Sequence, residues 1–246
     1  MKKILSIIIP CYNEEDSLPH LFNQLSTVIR KIKKIYKIEL IFVDDGSTDK
    51  TYKILTKFKK NNKNVKILRH KRNMNIGAAM RTGFRYASGD IIVTIDSDCT
   101  YDPKEIPNIV RELNGADIVT ASPYMPGGKV INVKPHRLFL SNIVSRIYSI
   151  LVGKKIYTFT SIFRAYKKET AKTIKFKSNN FLSLVEILIN SLERGKRVVE
   201  YPTTLKSRLY GQSKMKLFKT IKSHMKFMMF IVWRKNENSN RARYKT

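Results

Sequence analysis

Three short apolar runs constrain the fold of this chain more than any other feature of its sequence. They span residues 5–10 (LSIIIP), 39–43 (ELIFV) and 91–95 (IIVTI), and they are rich in β-branched residues. Continuous runs of this length are typical of strands buried on both faces of a parallel sheet. Segments with helical spacing of apolar residues, such as 14–34, lie between them. Because strands alternate with helices, the sequence predicts an α/β fold with a mostly parallel sheet and helices on both faces.

The remaining predicted elements continue this alternation to residue 121 and become less regular beyond it. We predict helices over 48–60, 78–87, 103–113, 137–152 and 182–193, and strands over 65–68, 117–121, 163–166 and 198–201. A loop with Gly and Pro spans 122–134, a basic loop spans 206–214, and a basic helix begins at Met215. A chain of 246 residues without an evident linker or repeat is expected to form one sizeable domain.

The formal charge is +29, from 48 Lys and Arg residues against 19 Asp and Glu. Such a charge attracts polyanions, which include nucleic acid, an anionic membrane face and phosphorylated substrates. Nucleic-acid readers show a recognisable module or basic residues interleaved with aromatic ones. Neither is evident here, so we expect no nucleic-acid partner. A non-enzymatic basic protein that binds membranes or nucleic acid is the alternative that uses the charge alone.

Cysteine usage and hydropathy bear on where the protein acts. Cys11 and Cys99 form no CxxC pair or Cys/His cluster, which argues against structural zinc and suits a reducing cytosol. The N-terminus lacks a signal-peptide pattern, and no run reaches the roughly 20 apolar residues that span a bilayer. We therefore expect a cytoplasmic protein, peripheral to the cytoplasmic membrane face.

The segment 216–246 is the part of the chain expected to contact that membrane. Its basic residues recur at helical spacing beside an apolar stripe: Lys216, Lys219, Lys222 and Lys226, with Leu217, Ile221, Met225, Met228 and Val232. A basic amphipathic helix lies in the lipid interface. The alternative is a helix packed on the protein, with a solvated lysine face.

Polar clusters follow the three buried runs, at residues 10–14, 44–49 and 96–98. In an open α/β sheet, ligands bind beyond the carboxyl ends of the strands. Asp96 and Asp98 are two apart in an extended segment, so both carboxylates can reach one ion. Carboxylates together with phosphate oxygens are the ligands that Mg²⁺ or Mn²⁺ prefers. Each cluster taken alone could instead be a turn or a helix cap.

The motifs PCYNE, VDDGSTD, N-x-x-x-G at 73–77, SGD and DSD occur in an order and spacing that resembles the family 2 glycosyltransferases of GT-A fold. The resemblance implies a nucleotide-sugar half over 1–121, an acceptor half over 122–215 and a tail over 216–246. It places Pro10, Tyr12 and Glu14 at the base and ribose, with Val43 and Asp45 nearby. Asp96, Ser97 and Asp98 would lie at the ribose, the diphosphate and the metal ion.

The second half resembles the polyprenyl-phosphate branch of that family, the dolichol-phosphate mannose synthases and their bacterial relatives. The resemblance implies that Arg137 and Ser141 hold the acceptor phosphate. It implies that Arg208 and Lys214 grip the donor diphosphate and act with Asp98 in catalysis. Four positions depart from the family pattern: Thr100 for a glutamine, Pro123 for an arginine, Thr158 for an aspartate and Ile162 for a glycine.

The expected reaction moves a hexose, with inversion, from a GDP-mannose or UDP-glucose type of donor to a dolichyl or undecaprenyl phosphate. A phosphate acceptor is already nucleophilic at neutral pH, whereas a sugar hydroxyl needs a carboxylate base. Glu186 is the one good candidate for that base in the second half. Transfer to a sugar hydroxyl of a cell-surface glycan is therefore an alternative. A nucleotidyltransferase is a further rival, but it commonly carries an N-terminal Gly-rich phosphate loop.

Overall fold

The computed structural model describes residues 2–211 and 217–243, except for the side chains of 136–137, 217–218 and 238–243. The strands are β1 (Ile4–Cys11), β2 (Lys37–Asp44), β3 (Val65–Arg69), β4 (Ile91–Thr94), β5 (Ile118–Ser122), β6 (Lys129–Ile131), β7 (Arg164–Lys167), β8 (Val198–Pro202) and β9 (Thr204–Lys206). The α-helices are α1 (Leu18–Ile32), α2 (Thr51–Lys60), α3 (Ile76–Tyr86), α4 (Ile106–Arg111), α5 (Pro135–Val152), α6 (Lys168–Thr173), α7 (Leu182–Glu193) and α8 (Leu217–Arg243).

A seven-stranded sheet with the order β3-β2-β1-β4-β7-β5-β8 forms the centre of the molecule. β1 pairs in parallel with β2 and β4, β2 pairs in parallel with β3, and β5 pairs in parallel with β8. β7 is antiparallel to both of its neighbours, β4 and β5. The prediction of a mostly parallel sheet is confirmed. The strand pattern in the sequence did not reveal that β7 is antiparallel.

The sheet is covered on both faces, as predicted. On one face α1, α2 and α4 bury apolar side chains that include Leu21, Leu55 and Ile109. On the other face α3, α5, α6, α7 and α8 bury a second cluster, which includes Met80 and Ile187. A strand buried on both faces has no polar side to alternate with, which explains the continuous apolar runs of β1 and β2.

Several elements differ from the sequence prediction. The first helix begins at Leu18 rather than at residue 14, because residues 13–15 form a loop bound to residues 47–51. β6 lies inside the predicted loop 122–134 and pairs in parallel with β9, which comes 73 or more residues later. Three-residue strands carry too little pattern to be recognised before their partner is known.

α8 packs on α5 and α7 and is also apolar on its outer side. His224 and Ile231 are buried, and the Tyr148 hydroxyl lies 3.0 Å from His224 Nδ1. On the outer side, Met225 and Val232 of the predicted apolar stripe are exposed, at 59% and 44%. α8 thus has a packed side and an exposed apolar side, and contact of that exposed side with a membrane stays a prediction.

Within residues 2–211 and 217–243, no helix combines the length and the apolar character needed to cross a bilayer.

Candidate functional site

The carboxyl ends of β2, β1 and β4 lie side by side, because these strands are neighbours in the sheet. The three polar clusters therefore meet at one edge. Glu14, Asp45 and Asp98 are buried there. This edge carries the donor-site residues predicted from the first half of the chain: Pro10, Tyr12, Glu14, Val43, Asp45, Asp96, Ser97 and Asp98.

The loop after β2 is held in place by Asp45. Its Oδ1 accepts a hydrogen bond from the Met74 N–H at 3.0 Å and lies 2.6 Å from His70 Nδ1. Gly46 has φ +70°, and a Cβ there would lie 2.4 Å from the carbonyl carbon of Arg72. Only glycine suits this position, so the β2 loop and the 70–74 segment approach each other closely.

Arg208 brings two of the carboxylates together. Its Nη2 donates to Asp98 Oδ2 at 2.6 Å, and its Nη1 lies 3.5 Å from Glu14 Oε1. The other oxygen of Asp98, Oδ1, accepts from the Thr100 N–H at 3.0 Å. The guanidinium thus lies between the first and third polar clusters, although it comes from the far end of the sequence.

The electrostatics of this group reflect concentrated negative charge. Burial, and then the neighbouring Asp98, raise the pKa of Asp96 well above its ordinary value. Burial alone would lower the pKa of the Arg208 guanidinium, but Asp98 and Glu14 raise it above its ordinary value. Because carboxylates crowd one another here, the edge favours a bound cation.

The side chains present suit a hard divalent cation. Asp96 and Asp98 offer carboxylate oxygens, and a cation would offset both the burial and the repulsion from Asp98 that raise the pKa of Asp96. In the described part of the chain, no group of three or more His, Cys, Asp and Glu side chains is arranged to hold a metal. Two carboxylates plus phosphate oxygens of a nucleotide remain a chemically consistent donor set for Mg²⁺ or Mn²⁺.

The segment that carries Arg208 is anchored to the DSD motif. The Lys206 N–H donates to the Thr100 carbonyl at 2.9 Å, and Leu205 forms an antiparallel bridge with Tyr101. The Tyr210 ring lies 5.9 Å from the ring of His20 on α1. These contacts hold residues 204–211 across the mouth of the site.

The predicted acceptor side lies along the first half of α5. Ser141 Oγ is 2.9 Å from Thr160 Oγ1. Burial raises the pKa of Tyr124, and the neighbouring Ser141 side chain opposes that rise. The side chain of Arg137 and the whole of Lys214 lie outside the described residues, so their predicted roles have no structural account.

The sequence profile described as "Glycosyl transferase family 2" matches residues 6–175, more than half of the chain. The chain belongs to glycosyl transferase family 2. This confirms the resemblance drawn from the five motifs.

Proteins with sequences related to this chain are named as transferases that act on polyprenyl phosphates. The chain is 33% identical over 215 residues to a dolichol-phosphate mannosyltransferase of Pyrococcus furiosus, covering 86% of this chain and 59% of that protein. It is 29% identical to an undecaprenyl-phosphate mannosyltransferase of Micrococcus luteus (85% and 86%). It is also 29% identical to an undecaprenyl-phosphate 4-deoxy-4-formamido-L-arabinose transferase of Klebsiella pneumoniae (89% and 64%). The chain thus spans about three fifths of the first and third of these relatives.

Solved structures with the same fold include glucosyl-3-phosphoglycerate synthase from Mycobacterium tuberculosis. The complex of that enzyme with Mn²⁺, UDP and phosphoglyceric acid superimposes with a TM-score of 0.67, covering 94% of this chain and 77% of that one. The identity is 18%, so the comparison supports the fold alone. The GT-A prediction is confirmed.

Glu186 and Thr100, which the sequence analysis singled out, both make hydrogen bonds that the sequence did not reveal. Glu186 accepts hydrogen bonds from the Lys177 and Ser178 N–H groups, each at 2.9 Å, and from the Ser178 hydroxyl. It is buried and engaged, which suits neither a surface glutamate nor an available base. Thr100 binds neighbours through its backbone, so it anchors Asp98 and β9.

Two other residues were missed. His70 contacts Asp45 and, through Nε2, Thr82 Oγ1 at 2.9 Å. Glu200 on β8 binds the segment before β7. A histidine just after β3 and a lone glutamate among the apolar residues of 198–201 were the available signals, and neither points to a partner without the fold.

Proposed function

We propose that this domain transfers a hexosyl group from a nucleotide-diphosphate sugar to a polyprenyl phosphate, with inversion at the anomeric carbon. The observation that carries the proposal is the group formed by Asp96, Asp98, Glu14 and Arg208 at the carboxyl edge of the sheet. Such a group matches a donor that brings two phosphates and a cation. The three polyprenyl-phosphate transferases named above support the acceptor class.

In this proposal the donor lies across the ends of β1, β2 and β4. Pro10, Tyr12 and Glu14 contact the base and ribose, with Val43 and Asp45 beside them, and Ser97 lies between the two aspartates. Asp96 and Asp98 hold Mg²⁺ or Mn²⁺. When bound, that ion neutralises charge on the diphosphate as it leaves.

The transfer itself needs little proton chemistry. An acceptor phosphate oxygen attacks the anomeric carbon, the bond from that carbon to the donor diphosphate oxygen breaks, and the nucleoside diphosphate departs with the electron pair. Arg208 and Lys214 would stabilise the charge that grows on that diphosphate. A phosphate nucleophile requires no base, which agrees with the full engagement of Glu186.

The apolar surface beside α5 supports a lipid acceptor at a membrane face. Arg137 and Ser141 are four residues apart on that helix, so a guanidinium and a hydroxyl can converge on one phosphate. A groove of about 470 Å³ lies between α5 and α8. Exposed apolar side chains continue along both helices: Phe139, Ile143, Ile147 and Ile150 on α5, and Met225, Met229, Val232 and Trp233 on α8. An isoprenoid chain and the lipid interface would cover these surfaces.

A donor panel tests the proposal. GDP-mannose, UDP-glucose and UDP-N-acetylglucosamine are each incubated with the protein, undecaprenyl phosphate and Mn²⁺, and labelled sugar is counted in the organic extract. We expect one donor to label the lipid, and EDTA to prevent it. Labelling of a soluble glycan but not of lipid would overturn the assignment of a polyprenyl phosphate as the acceptor. Absence of Mn²⁺-dependent binding of any nucleotide sugar would overturn the enzyme assignment.

A further inference from the structure

The segment 157–162, which joins α5 to β7, is bound to surrounding elements at nearly every residue. The Phe159 N–H donates to Ser145 Oγ at 3.2 Å, and the Phe159 carbonyl accepts from Arg164 Nη2 at 2.7 Å. Thr160 meets Ser141, and the Ile162 carbonyl accepts from the Thr94 hydroxyl. This segment therefore sets where Thr160 stands relative to the proposed phosphate site on α5.

Glu200 holds the start of that segment. Its Oε2 accepts from the Tyr157 N–H at 2.8 Å and its Oε1 from the Thr158 N–H at 2.9 Å. Ser122 Oγ lies 2.7 Å from Thr158 Oγ1, and the Ser122 side chain also lowers the pKa of the Glu200 carboxyl. One carboxylate on β8 thus holds two consecutive peptide groups, and the Thr158 hydroxyl links the second of them to the end of β5.

We propose that Glu200 is a positioning residue for acceptor binding, which acts by fixing residues 157–160 against Ser141. The assignment rests on the proposed function, because it takes the Ser141 face of α5 as the place where the acceptor phosphate binds. Glu200 touches no substrate in this proposal.

The chemistry of the contact makes the carboxylate hard to replace. A carboxylate has acceptor sites on both oxygens and can receive two N–H groups at once. Hydrogen bonds to an ionised acceptor are roughly twice as strong as neutral ones. Glutamine offers one acceptor oxygen, and its amide would set N–H donors against a peptide N–H. Burial raises the pKa of Glu200, and the bonds from Tyr157, Ser122 and Thr158 oppose that rise.

The test compares Glu200→Gln with Glu169→Gln, a matched change at an exposed glutamate on α6. Three measurements are made on the full chain: hydrogen exchange of the amides of residues 157–160, the affinity for UDP and GDP with Mn²⁺, and the KM for undecaprenyl phosphate. In Glu200→Gln we expect exchange at 157–160 to accelerate and the acceptor KM to rise, each about tenfold. Nucleotide affinity should stay within about twofold, since Asp96 and Asp98 are untouched. Glu169→Gln should change none of them.

A second variant separates positioning from a general loss of fold. Thr158→Asp puts a second carboxylate beside Glu200, and like charges in one partly buried site repel. It should accelerate exchange at 157–160, and the double variant with Glu200→Gln should exchange more slowly than the two single effects together predict.

Additive effects of these two changes would overturn the proposal, as would unchanged exchange in Glu200→Gln. A fall in nucleotide affinity as large as the rise in acceptor KM would also overturn it. The exchange and nucleotide measurements need no lipid, so they report on Glu200 even if undecaprenyl phosphate is not the acceptor.

Discussion

The proposed donor side and the proposed acceptor side of this domain are built in different ways. On the donor side, the carboxylates follow buried strands within four residues, as Asp45 follows β2 and Asp96 and Asp98 follow β4. On the acceptor side, one short segment is held by side chains from several elements, among them Ser122, Ser145 and Glu200. Strand ends place the donor-side carboxylates by topology, whereas the acceptor-side groups depend on a polar network, so single substitutions should separate the two functions.

The largest effect is expected at the carboxylate pair. Asp98→Ala removes one candidate ligand of the cation and the partner of Arg208, and we expect transfer to fall by at least about a thousandfold. Circular dichroism should show an unchanged fold, and Asp16→Asn, at an exposed acid in the nearby 12–17 loop, should keep activity. Full activity of Asp98→Ala in EDTA would contradict the proposal that Asp98 binds the donor through a divalent cation.

Arg208→Ala should act on the donor side in two opposite directions. Transfer should fall about a hundredfold, since the growing charge on the diphosphate loses a cation. Binding of Mn²⁺ without nucleotide should tighten severalfold, because Arg208 no longer competes for Asp98. Calorimetry with Mn²⁺ alone measures the second effect. Weaker Mn²⁺ binding in the variant would show that Arg208 organises the carboxylates rather than competing with the ion.

Arg137→Ala should affect the acceptor side only. With saturating donor, we expect the KM for undecaprenyl phosphate to rise about tenfold to a hundredfold, as for a lost charge-assisted hydrogen bond, with nucleotide affinity unchanged. Arg111→Ala, on α4 and the opposite face of the sheet, is the control. If Arg137→Ala lowered nucleotide affinity as much as it raised the acceptor KM, the two sides would not be functionally separate.

The smallest effect is expected at the exposed apolar side of α8. Trp233 is the one tryptophan of the chain and is 55% exposed, so its emission should shift to the blue when anionic vesicles are added. Met229→Ser should weaken vesicle binding by a few fold up to about tenfold, since partial burial of a methionine side chain is worth about 1 kcal/mol. Ile35→Ser, equally exposed but beyond the end of α1, should have no effect. A Trp233 emission that ignores vesicles at low salt would mean that α8 does not contact lipid.

The sequence by itself determined the frame of this protein and the strand-end residues of the proposed donor side. Continuous apolar runs require strands buried on both faces, and a parallel sheet brings their carboxyl ends to one edge. The positions of Glu14, Asp45, Asp96 and Asp98 at that edge therefore follow from local pattern. These residues are each near a strand end in sequence, so no long-range information was needed to bring them together.

Only the tertiary structure decided the rest. It inserted β7 antiparallel between β4 and β5, and it brought Arg208 to Asp98 across 110 residues of sequence. It joined Glu200 to Tyr157 and Thr158, and it engaged Glu186 away from any role as a base. The physical reason is that the local sequence around a single charged residue does not identify its hydrogen-bond partner. Burial forces each such group to find hydrogen bonds, and which groups are available is known only once the chain has folded.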